Sequence, residues 1–560
     1  SGVQVDSGVQ VDSGVQVDSG VQVDSGVQVD SGVVVDAGVG PTTGTAGGEC
    51  YPNRTCDIGA ICLAEDCVAV DDGQEGGHCF ANDTCLAGSV CDDGRCVVNV
   101  CTRDVTLASS TDVEDLLPCG RLEGHLTIDV DLDVNDALAS LREVTGNITV
   151  RRVSSSTLSF AHLRVVGGDV VVQPLNATAM ANLQTVTLPH LHRVDGAFVV
   201  DGDNGLSALA EVLAPHLEQV STNLEVRSLG ALTNLHTPRL VSVGGEAQLS
   251  QLPLLTELGG DAVVEGELLL HGTAIPSIPW RSKSGLSVHA SPVAVLDVAF
   301  EQDANVDLQD LPNLTTINMS SPSSLTLHTE NAPVLTSATL TAATDLSSIW
   351  LQTPQLAQLT RNHDGDEHLG LYGSSGVTAV SMVGENVTFV GRATSLTSLT
   401  VDATAHLGID VADDSNLSTI TVVQDPASAE VSVHNAVVTS LAVSTQGDLL
   451  VDVSASPLLP AFTAGGALDV SLSGVAPADT LDLSAGADLR LALDVVDDME
   501  ALEHLVLNAG GCITDVSGTE NTKALTSATL SSGADACETH WRGIDVDNLA
   551  ASFASVVRMS

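Results

Sequence analysis

Aromatic side chains are nearly missing from this chain. Its 560 residues include 3 Trp, 2 Tyr and 7 Phe, too few to centre the several globular cores that such a length would otherwise hold. The interior must therefore be aliphatic. Val, Leu, Ile and Ala, together with 50 Gly, suit stacked thin layers in which each small side chain packs on its counterpart in the next layer. Basic residues are equally scarce. Only 19 Lys and Arg stand against 72 Asp and Glu, for a net charge of −53, and Lys283 and Lys523 are the two lysines. Nucleic acid and anionic membranes are repelled by such a chain and are not expected as partners. No apolar run approaches the roughly 20 residues of a membrane helix. The chain starts at Ser1 with neither an initiator Met nor a signal peptide, which reads as a processed or cut start. Also missing are G-x-S-x-G, H-E-x-x-H, a P-loop, a dinucleotide fingerprint and G-G-x-G-x-D calcium repeats. No catalytic residue, cofactor or metal is assigned, and the chain is not expected to be an enzyme.

What is present is strongly organised. Residues 1–36 are six hexapeptides, five Ser-Gly-Val-Gln-Val-Asp and one Ser-Gly-Val-Val-Val-Asp, followed by a Gly/Thr-rich stretch to residue 48. Asp6, Asp12, Asp18, Asp24, Asp30 and Asp36, with no basic residue among them, repel one another and keep residues 1–48 extended as a tail or linker. A calcium-binding or self-pairing strand array is the competing reading, but one carboxylate in each hexapeptide is sparse for a cation site. Next come two copies of C-x5-C-x5-C-x4-C, the first formed by Cys50, Cys56, Cys62 and Cys67 and the second, at a constant offset, by Cys79, Cys85, Cys91 and Cys96. The copies also share Asn53/Asn82, Thr55/Thr84 and Gly59/Gly88. Residues 49–69 and 78–98 therefore read as duplicated modules too small to hold a core without disulfides, with three connectivities open. Zinc is disfavoured by the spacing. The cysteine count is even, with Cys101, Cys119, Cys512 and Cys537 completing it, and this implies an oxidising, secreted or cell-surface location.

From Cys119 one phrase returns at Leu141, Leu163, Leu191, Leu217 and Leu240: CGRLEGHLTI, LREVTGNITV, LRVVGGDVVV, LHRVDGAFVV, LEQVSTNLEV and LVSVGGEAQL. Its sixth position is Gly124, Gly146, Gly168, Gly196 or Gly245, with Thr222 the exception. These glycines are expected to supply the positive φ of a corner between two short strands. Cys-x-x-Leu-x-Gly-x-Leu-x-Ile, then Leu-Arg-Glu-Val-x-Gly, then Leu-x-Phe-x-x-Leu-Arg-Val-Val-x-Gly resembles a receptor L domain over Cys101 to about Leu270. The resemblance implies a right-handed β-helix with leucine-rich-repeat-like turns, closed at its start by a disulfide that Cys101 and Cys119 would supply, and it implies binding rather than catalysis. No furin-like cysteine region follows. Beyond that stretch a tighter beat starts at Leu314, Leu335, Val377, Leu396, Leu417 and Val438, with a second alternating strand in each coil. The fold class expected is mainly β, an elongated right-handed parallel β-helix or solenoid over residues 99–560, preceded by the two modules and the tail. Some 20 coils would make a rod roughly 90–100 Å long. Cys512 and Cys537 are expected to pair near its end, with the segment to Ser560 as a short covering helix.

Three features invite chemistry. The stretch Arg361 to His368 gathers His363, Asp364, Asp366, Glu367 and His368, which would hold a metal or an acid/base pair, but it falls where the period demands a solvated turn. His190-x-His192 would aim two imidazoles one way, short of the third ligand zinc needs. Thr315, Thr336, Thr378, Thr397, Ser418 and Thr439 form a hydroxyl column that would suit a glycan or simply a strand surface. Eight Asn-x-Ser/Thr sequons, Asn53, Asn82, Asn147 and Asn386 among them, matter only in a eukaryotic secretory pathway. The function expected is a non-catalytic surface or secreted binding or adhesion protein whose partner is a protein or glycan on another surface. The alternatives are a self-associating coat, matrix or filament component and, behind it, a carbohydrate-active β-helix enzyme. Acidic Ser-Gly tails ahead of small cysteine modules resemble those of bacterial lipoproteins, which implies a lipid anchor upstream of Ser1.

Overall fold

The structure is a computed structural model. It describes residues 60–559 apart from 64–65, 204, 374–375, 393–394, 414–416, 437, 439, 456–460, 474–479, 495–502, 519–525, 534–538, 543–548 and 554–556. The hexapeptide tail, Cys50, Cys56 and Cys537 lie outside the described residues. Ser1–Asp71 and Asp72–Ser560 form two units.

In the first unit Ala60–Leu63 pairs antiparallel with Asp66–Ala69, placing Cys62 opposite Cys67. Cys67 is buried and disulfide-bonded. In the second unit Ser89–Asp92 pairs with Arg95–Val98, placing Cys91 opposite Cys96, the same hairpin in the second copy of the motif. Its two-residue turn is Asp93-Gly94, both with positive φ (48° and 79°), as a tight hairpin of this hand requires. The disulfides Cys79–Cys91 and Cys85–Cys96 close this copy, so of the three connectivities left open by spacing the one found is first-to-third and second-to-fourth. The copy packs on the first coils that follow. Asn99 N–H donates to Gly88 O at 3.0 Å, and the Arg142 guanidinium meets Glu75 at 2.7 Å.

The rest of the second unit is a parallel β-solenoid of about 19 turns, and among the described residues helix is confined to Ser110–Leu116 and Asn135–Leu138. Three ladders run along its first part. A long sheet starts at Val105–Leu107 and Leu126–Asp129, nine two-residue strands from Val100–Cys101 to Arg281–Ser282 form a second sheet, and four strands from Thr157–Ser159 to Asn234–His236 form a third. Alternation explains the strands. Ile148 and Val150, Val170 and Val172, Phe198 and Val200, and Leu224 and Val226 are buried and stack in register, while the residues between them face outward. Beyond Ser282 the two-residue sheet ends and each coil keeps two longer strands, which is why the repeat shortens. At Ala379–Arg392 and Ser398–Ala412 the two strands of a coil run on as one.

The corner glycines are where the sequence reading fails. Positive φ is found at Gly124 (153°) but not at Gly146, Gly168, Gly196 or Gly245. These four are needed because the preceding coil comes too close for a Cβ. At three of them a side-chain oxygen from that coil fills the space: Asn147 Oδ1 would lie 2.0 Å from a Cβ at position 168, Asp169 Oδ1 2.2 Å from one at 196, and Asn223 Oδ1 2.2 Å from one at 245. Each oxygen accepts the N–H of the residue after the glycine, at Asp169 (3.0 Å), Ala197 (2.8 Å) and Glu246 (3.1 Å). The same device returns in the second half, from Asp345 to Asp366 N–H (3.1 Å), Asp448 to Ala467 N–H (2.8 Å) and Asp488 to Cys512 N–H (2.8 Å). Several aspartates of this acidic chain are thus corner acceptors. Left-handed backbone does occur, at the opposite end of the long strand, and mostly without glycine: Ser228, Gln251, Ala290, Asp310, Asn331, Gln352, Asp413, Asn435 and Ala455 have φ of 48–58°.

The stacking explanation predicts a rescue. Gly245→Ala should cost about 1–3 kcal/mol by displacing the Asn223 amide. Asn223→Ala should cost about 1 kcal/mol for the lost acceptor. The double variant should cost clearly less than the sum of the two, because the oxygen at 2.2 Å is gone and the remaining Thr222 backbone atoms at 3.2 Å need to give by only a few tenths of an ångström. Denaturant midpoints of the four proteins check this, and simple additivity would refute the stacking account.

The end of the chain also differs from expectation. Instead of a covering helix, Leu549–Phe553 and Val557–Met559 continue the parallel ladders on Ser527–Ser532 and Thr539–Arg542. The period-two spacing of Leu549, Ala551 and Phe553, next to an open strand edge, favours a strand there. Cys512 is disulfide-bonded, and its expected partner Cys537 lies outside the described residues.

Candidate functional site

The polar stretch 361–368 divides between interior and surface. Arg361, His363 and Glu367 side chains are 6%, 4% and 2% exposed, so the solvated-turn reading fails for them. Asp364 and Asp366 are exposed. Glu367 occupies an inward column in register with Leu325, Leu346, Val387 and Leu407, where its neighbours are aliphatic. Its carboxylate is engaged by the Arg361 guanidinium and by His363 Nε2 at 3.3 Å, and it accepts Val383 N–H at 3.1 Å. Arg361 also donates to Ser381 O at 2.7 Å. Arg361 Nε and His363 Nδ1 are buried without partners. Burial lowers the Arg361 pKa, with Glu367 opposing. Asp366 turns away to accept the backbone and side-chain N–H of Asn386 (3.1 and 2.8 Å), and burial holds the His368 imidazole below its ordinary value. The five predicted residues therefore do not converge, and only His363 and Glu367 meet. The cluster clamps the corner where the separate strand Gln358–Asn362 gives way to the continuous Ala379–Arg392, and it is closed to a substrate.

A second cluster, not foreseen from sequence, lies on the outer face of the long sheet. His271 and His289 stack with ring centroids 4.2 Å apart. Ser287 Oγ lies 2.8 Å from His271 Nε2 and 3.2 Å from His289 Nε2. Asp307 takes His289 Nε2 and His328 Nδ1, each at 3.0 Å, and the Gln309 amide. Burial works against the Asp307 carboxylate, but hydrogen bonds from Gln309, His328 and His289 leave its pKa below the usual value. Ser, His and Asp side by side suggest a nucleophile. Here, however, one nitrogen of His289 faces both Ser287 and Asp307, whereas a triad needs the two ring nitrogens to serve different partners.

His190 and His192 are joined by two imidazoles from neighbouring coils. His190 stacks on His162 (6.0 Å, 11° between planes) and meets His216 edge-on (6.0 Å), and His192 lies 5.8 Å from His216. The hydroxyl column is committed to the backbone: Thr315, Thr336, Thr397 and Ser418 donate to the carbonyls of Ala294, Thr315, Thr378 and Thr397 one coil back, at 2.8–3.1 Å. Thr439 lies outside the described residues.

The site residues thus sit on a parallel β-solenoid whose first coil is closed by the Cys101–Cys119 disulfide. Residues 118–212 match the family model of the Receptor L domain, a family of non-enzymatic ligand-binding domains. The matched stretch lies within the region whose motifs carry the resemblance. No curated protein and no solved structure matches the chain.

Proposed function

We propose that this chain is a non-catalytic surface or secreted binding protein that presents solenoid faces to a protein or glycan on another surface. The Receptor L domain match over residues 118–212, seated in the solenoid's early coils, carries this reading. Disulfides at Cys79–Cys91, Cys85–Cys96 and Cys101–Cys119 support an extracellular or cell-surface location. No helix among the described residues is long and apolar enough to cross a membrane. In this reading residues 1–48 are the tether, 49–69 and 78–98 are spacer modules, and 99–560 is the recognition body. The test is a glycan-array and cell-surface binding screen with the full chain, with and without reductant. Saturable, reductant-sensitive binding is expected. Hydrolysis or cleavage of an array component, or no binding to any surface, would overturn the reading.

A further inference from the structure

Four positions equivalent by coil carry His162, His190, His216 and Arg239, each one residue before a buried leucine (Leu163, Leu191, Leu217 and Leu240). The adjacent column runs Arg142, Arg164, His192, Glu218, with each residue's N–H donating to the carbonyl of the one before at 2.8 Å. These side chains form a strip across five coils. Pro189, Pro215 and Pro238 precede three of the four residues in the first column, fixing the backbone that carries them. On a chain of net charge −53 with only 19 Lys and Arg, this is a local concentration of basic groups. Arg142 is paired with Glu75, Arg193 with Asp195, and His192 with Glu218 at 3.7 Å. Arg164 and Arg239 are exposed and have no ion-pair partner among the described residues. His216 Nδ1 is shielded from water and has no hydrogen-bond partner.

We infer that this His/Arg strip is a docking site for an anionic polysaccharide bearing carboxylate or sulfate groups. The inference rests on the binding-protein reading above and names its ligand class. The strip repeats a basic group, imidazole or guanidinium, at the coil spacing, about 4.8 Å, with the unpaired Arg164 and Arg239 at its two ends, which suits a linear polymer with charge recurring along it. Its ring-bearing groups are imidazoles, without the large aromatic anchors that centre protein–protein interfaces. Screening confines its attraction to about 10 Å at 0.1 M salt, so the strip acts on a thin flexible chain in contact with it, while the molecule as a whole repels bulky polyanions.

The imidazoles give the site a pH signature. Burial, then His190, Arg142 and Arg164, hold His162 below its ordinary pKa. Burial, then Arg239, His192 and His190, do the same to His216, with Glu218 opposing. A bound anion favours the protonated rings, so binding takes up protons and affinity rises as pH falls through this depressed range.

The test uses the full chain on immobilised dextran, polygalacturonate and dextran sulfate, at about pH 7.5 and about pH 5.5, with poly-glutamate as a competitor. Binding to one or both anionic polymers, absent on dextran and stronger at the lower pH, is expected. Arg164→Ala/Arg239→Ala should weaken it about tenfold or more at both pH values. His162→Asn/His190→Asn/His216→Asn should flatten the pH dependence, with the circular dichroism of both variants unchanged. Preference for polygalacturonate or for dextran sulfate separates a carboxylated from a sulfated ligand. Equal binding to dextran, unchanged affinity in the arginine variant, unchanged pH dependence in the histidine variant, or competition by poly-glutamate as strong as by the polysaccharides would overturn the inference. A ligand from the broad screen that ignores both variants would overturn this site while leaving the binding-protein reading intact.

Discussion

Replacing Glu367 by alanine should cost about 3–5 kcal/mol, because it strands the Arg361 guanidinium inside an aliphatic core. Arg361 is nearly sealed from water, and Glu367 is the carboxylate it meets. Without that partner the charge must be desolvated alone, or the coil must open to let water in. Val383 N–H, at the corner where two strands merge, loses its acceptor in the same step. Arg361→Met/Glu367→Leu should recover most of the loss, since well-packed apolar residues often replace a buried ion pair without penalty. Solenoids unfold through neighbouring coils rather than all at once, so the readout is hydrogen exchange across residues 325–412 beside the denaturant midpoint. A cost below about 1 kcal/mol for Glu367→Ala would mean that the pair is solvated, and the description of the cluster as interior would be wrong.

How much of this was legible can be judged from particular residues. Period-two alternation at Val170 and Val172 or Leu325 and Leu327 identified inward columns, because a strand buried on one face writes that pattern directly into sequence. The Leu-x-x-Val-x-Gly phrase located the corner but not the reason for its glycine. Positive φ and close approach select the same residue, and only the neighbouring coil shows that Asn147 or Asn223 fills the space. The left-handed corner was only partly marked: Asp310, Asn331, Asp413 and Asn435 are types that favour it, whereas Gln251, Ala290 and Gln352 carry no turn signature. At 359–367 the alternation Leu359, Arg361, His363 continued an inward phase, and that signal was outweighed by the cluster's polarity. Sequence also set His190 and His192 side by side but could not bring in His162 and His216, which reach them through the coil stacking. Repetition of Pro-His-Leu at 189–191 and 215–217 was the available clue.

The Cys101→Ser/Cys119→Ser variant should lose about 3 kcal/mol, on the loop-entropy estimate for a bridge of this span, and the loss should stay local. The bridge joins residues 18 apart, tying the first two-residue strand to the end of the helix Ser110–Leu116. That strand has one ladder neighbour, Arg121–Leu122, so within the solenoid's ladders the first coil is paired on one side only and depends on cross-links and on the packed cysteine module more than interior coils do. The helix supplies part of the cover through its own cap: Ser109 Oγ accepts Asp112 N–H, and the Asp112 carboxylate accepts Ala108 N–H at 3.1 Å. The disulfide adds what this short helix cannot hold by itself. Hydrogen exchange should therefore accelerate at Val105–Leu107 and Leu126–Asp129 and remain unchanged beyond Val295, many coils away from the bridge. Reduction of the wild-type protein should give the same pattern at the first coils, with additional loss in the Cys79–Cys96 module and around Cys67 and Cys512, whose disulfides open as well. Uniform acceleration along the solenoid would show instead that the coils melt as one cooperative body, and the bridge would then be a global rather than an end-specific constraint.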